Sequence, residues 1–145
     1  MRKNWRKNNF TRRDMCLELL AGKYGLPLDE GLFWTRLPRL VYAEIELMGS
    51  KTEAELTFRK GRLVWTEKIQ AENGETFEFL IETHQNYPNS VPRVFIRPGL
   101  SLNGRRCRDG SVWLCSRDEY VGKMSVYDLR QKAIDFLSEY LANQY

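Results

Sequence analysis

Four arginines, Arg105, Arg106, Arg108 and Arg117, lie close in sequence to Cys107 and Cys115. Cysteine acts as a nucleophile in its thiolate form, which nearby positive charge favours. The stretch from residue 101 to residue 120 is therefore a candidate site for thiol chemistry, with Cys115 as the candidate nucleophile. A buried, inert thiol is the competing reading of the same residue. With Cys16 the chain has 3 cysteines, and it has 1 histidine, His84. These could formally make a zinc set, but none of the cysteines are spaced Cys-x-x-Cys as structural zinc sites usually require, so no metal or other cofactor is expected. The lone histidine excludes any mechanism that needs two, and a cysteine nucleophile would have to act without a histidine base. An odd cysteine count without tight pairing argues against a disulfide scaffold.

The elements around this stretch must position it. Asp109-Gly110 reads as a turn, and Val112-Trp113-Leu114 as a brief apolar insertion that anchors the segment. Residues 98–124 carry no clear period, and a long irregular segment in a compact domain is often functional. Before it, period two predicts strands. Val41, Ala43, Ile45 and Leu47 share one face of a first strand, with Glu44 and Glu46 on the other. A second strand begins near Leu56 and Phe58 and runs toward Ile69, with an interruption at Lys60-Gly61. Asn73-Gly74 signals a hairpin into a third, carrying Phe77, Phe79 and Ile81. Tyr87-Pro88 and Val91-Pro92 bracket a turn into a fourth, residues 93–97. Thr11 with Asp14 reads as the cap of an N-terminal helix whose stripe, Met15, Cys16, Leu19 and Leu20, is expected in the core and which ends by Gly25 and Pro27. Residues 26–39 read as an irregular connection. Ser125 with Asp128 caps a final helix bearing Val126, Leu129, Ala133, Phe136, Leu137, Tyr140 and Leu141 on one stripe. The expected fold class is α+β: helix, four-stranded antiparallel meander with one charged face, long loop, helix.

The 145 residues fit a single domain, residues 11–145, behind a basic arm at residues 1–10. Hydrophobic residues at 42% and charged residues at 29% describe a packed globule. The longest stretch free of charged residues, 83–92, is polar, so no membrane span is expected, and the N-terminus lacks the apolar core of a secretory signal. A cytoplasmic protein is the expectation. The net charge of +4 is uneven, because Arg2, Lys3, Arg6, Lys7, Arg12 and Arg13 leave the remainder with 17 basic against 19 acidic residues. A basic arm containing Trp5 and Phe10 could stack on nucleic-acid bases, or simply be a solvated terminus.

Tyr87-Pro88 with Pro92, then Asp109-Gly110-Ser111-Val112 leading to Cys115, then the helix from Ser125, resembles the ubiquitin-conjugating enzyme (UBC-like) family over roughly residues 11–142. The resemblance implies an N-terminal helix, a four-stranded meander, an active-site loop with the catalytic cysteine, and helices packed on the sheet. It implies that Cys115 takes an acyl C-terminus as a thioester and passes it to an amine or thiol, an acyl-transferase activity. Asn103, in place of the family's His-Pro-Asn triplet, or nearby backbone N–H groups would stabilise the oxyanion. Asp118 or Glu119 would orient or deprotonate an incoming lysine, against the reading that both are solvated loop acids. Two departures stand out: the triplet is absent, and counting from Gly110 as in eukaryotic members lands on Trp113, with Cys115 two positions late.

The compact size and the Asp-Gly-Ser turn look like bacterial members found in CBASS-type anti-phage operons beside a cGAS-like cyclic-oligonucleotide synthase. That implies the C-terminus of such a synthase, or of a ubiquitin-like protein, as the thioester partner. With no adenylation motif, the chain would be a stand-alone member. A catalytically inactive UBC-like binding module, with Trp113 at the nucleophile position, is the alternative. A nucleic-acid-binding domain ranks last, because the exposed sheet face carries Glu rather than stacked aromatics.

Overall fold

The computed structural model describes residues 11–100 and 109–143. The basic arm, Asn103, Arg105, Arg106, Cys107 and Arg108 lie outside the described residues. The chain divides into two compact units, Met1–Glu46 and Leu47–Tyr145.

In the first unit, helix α1 (Arg12–Gly22) starts at the expected cap: the Asp14 N–H donates to the Thr11 hydroxyl and the Thr11 N–H to the Asp14 carboxylate, both at 3.1 Å. The helix buries Leu20, while Cys16 is half-buried and Met15 is exposed, so the expected stripe is only partly core. The predicted irregular connection contains a short helix, α2 (Phe33–Arg36). Phe33 and Trp34 are fully buried and meet edge to face at 5.1 Å. The Trp34 indole N–H donates to the Pro27 carbonyl at 2.6 Å, which satisfies the one polar atom that ring takes into the core.

The predicted first strand is instead helix α3 (Pro38–Lys51), within which the unit boundary falls. Besides Pro38 at its start, its buried residues are Val41, Glu44, Ile45 and Met48, at i, i+3, i+4 and i+7. Val41 and Ile45 satisfy both period two and period 3.6, so the apparent alternation came from residues common to both patterns. Glu44, assigned to the polar face of a strand, belongs to the buried face of the helix. Pro38 occupies the first helical position, where its missing N–H costs nothing.

The second unit carries a four-stranded antiparallel sheet in the order β1 (Glu55–Arg59), β2 (Arg62–Gln70), β3 (Thr76–Glu82) and β4 (Arg93–Arg97). The meander thus has the expected number of strands but a different membership. The segment read as one interrupted strand is a hairpin, turned by Lys60 (φ 50°) and Gly61 (φ 74°). Positive φ at both turn residues is the two-residue geometry that matches the twist of paired strands. The hairpin at Asn73-Gly74 forms as expected, with Gly74 at φ 89° and its N–H donating to the Ala71 carbonyl at 2.9 Å.

Alternation places Leu63, Trp65, Glu67, Phe77, Phe79, Ile81, Val94 and Ile96 on one buried face, in a register that sets Trp65 opposite Ile81 and Ile81 opposite Val94. Glu78 and Glu82 lie on the other face, paired with Arg97 and Arg62. The final helix, α5 (Val126–Ala142), follows the one-turn helix α4 (Arg117–Tyr120) and has the predicted Ser125–Asp128 capping box. It buries Val126, Leu129, Ala133 and Leu137. Arg130 fastens it to the sheet's buried face: Nε donates to Glu67 Oε1 at 2.6 Å and a second guanidinium nitrogen to Oε2 at 2.9 Å. No helix among the described residues is long and apolar enough to cross a membrane.

Candidate functional site

Asn86 and Ser90 to Pro92, from the turn that begins at Tyr87-Pro88, line one open cavity of about 640 Å³ together with residues of the 109–115 segment. The segment is held at its start by Asp109, which fastens it in two directions. One carboxylate oxygen accepts from the Ser111 N–H at 2.9 Å and from its hydroxyl at 2.5 Å, while the other pairs with Arg93 Nε at 3.0 Å. These partners, the Ser111 bonds first, lower the Asp109 pKa. Gly110, at φ 89°, supplies the left-handed turn residue that lets the Asp109 side chain close on Ser111. Val112 then bridges to β4, its N–H donating to the Val94 carbonyl at 2.8 Å.

Beyond this bridge the segment does not keep the alternation of a strand. Val112 is buried at 8% exposure, Trp113 is turned out at 47%, and Cys115 is buried at 3%. Of the expected anchor Val112-Trp113-Leu114, Val112 is buried, Leu114 is half-buried and Trp113 is exposed, while Cys115, outside that anchor, is buried. Both Trp113 and Cys115 line the cavity. Burial raises the Cys115 thiol pKa, Glu119 raises it further, and Lys132 opposes them. Arg117, one of the arginines expected to favour the thiolate, instead donates from Nε to the Asn89 carbonyl at 2.7 Å.

The chain after Cys115 is not irregular. Ser116 caps a one-turn helix, α4 (Arg117–Tyr120), with a reciprocal box: the Glu119 N–H donates to the Ser116 hydroxyl at 3.3 Å and the Ser116 N–H to the Glu119 carboxylate at 3.0 Å. The sequence Ser-x-x-Glu carried that signal, but it lay among residues without apolar period. Glu119 is thus committed to the cap, and these bonds lower its pKa. Asp118 is exposed on α4. Tyr120 is buried, and its hydroxyl meets that of Tyr87 at 3.0 Å, so α4 and the proline turn are joined at two points.

The opposite wall carries groups that the sequence alone did not bring together. Arg62 pairs with Glu82 at 2.7 Å, and His84 lies beyond the end of β3. Burial lowers the His84 pKa below 6.5, Arg93 and Arg62 add to the shift, and Glu82 and Asp109 oppose it. The wall therefore presents an imidazole whose protonation is disfavoured, near two arginines that are each already paired. Among the described residues, no group of three or more His, Cys, Asp and Glu side chains could hold a metal ion. The arrangement offers an exposed indole, a polar wall and a recessed thiol around a space large enough for a polypeptide segment. Compared with family models, curated proteins and solved structures, the chain matches none.

Proposed function

We propose that the chain is a ubiquitin-conjugating-like binding module, whose cavity holds a polypeptide segment against Trp113. One observation carries the reading: the residue at the family's nucleophile position, Trp113, is 47% exposed on the cavity, whereas Cys115 is 3% exposed with its thiol pKa raised. A large aromatic side chain that stays exposed beside a concave surface is a ready anchor for a protein partner. The chain order also supports the family resemblance: α3 leads directly into the four-stranded meander, followed by the proline turn, the Asp109-Gly110 turn and α5. In that reading α3, rather than α1, stands where the family has its N-terminal helix. The partner suggested by the resemblance is the C-terminal segment of a cGAS-like synthase or of a ubiquitin-like protein.

The second reading, a thioester carrier, is favoured by the presence of Cys115 in the wall of the same cavity. There the thiolate would attack the terminal carbonyl of a partner C-terminus that arrives already activated, as an acyl adenylate or as a thioester, release AMP or the donor thiolate, and hold the acyl chain as a thioester. An incoming lysine amine, oriented by Asp118, would then displace the thiolate, and Asn103 would stabilise the oxyanion of each tetrahedral intermediate.

One experiment separates them: the tagged chain is expressed with its neighbouring genes as wild type, Cys115→Ser, Cys115→Ala and Trp113→Ala. The binding module predicts one partner retained by the wild type and both Cys115 variants, lost from Trp113→Ala, with no covalent adduct in intact mass. A hydroxide-labile adduct on Cys115→Ser that is absent from Cys115→Ala establishes the carrier instead.

A further inference from the structure

Among the described residues β1 is an edge strand: β2 pairs with one side of it, and no other strand pairs with the other. Its sequence, Glu55-Leu56-Thr57-Phe58-Arg59, has opposite charges at its ends and apolar residues on either side of a central threonine. Laid antiparallel against a copy of itself with Thr57 at the centre, it sets Glu55 opposite the copy's Arg59 and Leu56 opposite its Phe58. Every cross-strand pair is then complementary. We propose that β1 is a homodimerisation edge, pairing two copies of this chain into one continuous eight-stranded sheet.

The hydrogen-bond geometry allows the same register. The hairpin through Lys60-Gly61 has a two-residue turn, so Arg59 and Arg62 form the closing pair of the β1–β2 ladder. Alternation along an antiparallel pair then turns the backbone groups of Glu55, Thr57 and Arg59 toward β2, and those of Leu56 and Phe58 toward the edge. Outward-facing groups must meet outward-facing groups across a new interface. A two-fold axis at Thr57 does this, because it places Leu56 opposite the copy's Phe58 and Phe58 opposite the copy's Leu56. A slip by one residue would put inward-facing groups opposite outward-facing ones and break the ladder.

The side chains agree with this. Phe58 is 45% exposed, and the register lays it against the copy's Leu56, removing apolar surface from water. Glu55 and Arg59 are exposed, and neither makes an ion pair among the described residues, so both are available to the copy. Edge strands of monomers are commonly blunted by short length, charged side chains, a proline or a bulge. β1 has no proline or bulge, pairing with β2 in unbroken register from Glu55 to Arg59, and its two charges are opposite in sign, so that they match those of an antiparallel copy.

Sedimentation velocity on the full chain across a wide concentration range, under reducing conditions, tests the proposal. The wild type is expected to show a concentration-dependent dimer. Glu55→Arg and Arg59→Glu each set like charges opposite one another twice and are expected to weaken the dimer by about tenfold or more. The double variant Glu55→Arg/Arg59→Glu restores both opposite-charge pairs in exchanged positions and is expected to recover it. Circular dichroism of the single variants separates lost pairing from lost folding, and Leu56→Lys provides a second disrupting variant at the same edge. A monomer at every concentration overturns the proposal, as does a dimer that the single reversals leave intact or that the double variant fails to recover.

Discussion

Trp113 and Cys115 are two positions apart on one short segment, yet the tertiary structure gives them opposite environments. The segment is tied to β4 by the bridge from Val112 to Val94, and beyond it the indole is exposed while the thiol is buried. A thiol needs both access and ionisation to react, and Cys115 has little of the first while burial and Glu119 disfavour the second. Iodoacetamide should therefore label Cys115 about tenfold more slowly than a free cysteine at pH 8, with the rate still rising above pH 9. Peptide mapping by mass spectrometry over a pH series measures it, and labelling at the free-cysteine rate would overturn the account of the buried thiol. The loop arginines around Cys115 were legible as charge in the sequence. The sequence could not show that Arg117 spends its guanidinium on the Asn89 carbonyl, because that contact joins positions 28 apart in the chain.

The elements were most legible where the signal is local. Thr11 with Asp14, Ser125 with Asp128 and the Asn73-Gly74 turn each act over a few residues, and all three form as read. Helix α3 was misread because Val41 and Ile45 fit two periods, and only burial of Glu44 and Met48 distinguishes them. The Glu67–Arg130 pair lay beyond sequence reasoning, since it joins β2 to α5 over 63 residues. The two side chains are only 9% and 14% exposed, so removing one partner strands the other in a poorly solvated place. Arg130→Met should cost about 3 kcal/mol in urea unfolding, and Glu67→Leu/Arg130→Met should recover most of it, because the uncompensated charge is then gone. Equal loss in the single and double variants would show that shape, rather than charge, holds α5 in place.

Stability as a function of pH is a property of the whole molecule, and His84 gives it a definite sign. The folded state lowers its pKa below 6.5, so below that pH the unfolded chain binds the proton more readily than the folded one. The stabilisation is complete above pH 6.5 and is lost as the pH falls from there through the lowered folded value. Asp109, also lowered, has the same direction at more acidic pH, starting from 3.8. Thermal melts between pH 8 and pH 5 should show the melting temperature falling on the acid side, and His84→Gln should flatten that part of the curve. A wild-type melting temperature that is unchanged or rises over this interval would contradict the sign.

Composition, helix caps, turns and the meander's alternating faces could be read from the sequence alone, because each depends on residues within a few positions of one another. They place an α+β chain with a capped terminal helix and a proline turn before an unusual segment. The tertiary structure decided which of two compatible periods residues 38–51 adopt, and that Trp113 rather than Cys115 meets the solvent. It also brought His84, Arg62 and Arg93 to one cavity wall. These outcomes depend on desolvation and on contacts between distant parts of the chain, and their energies exist only once the chain has closed upon itself.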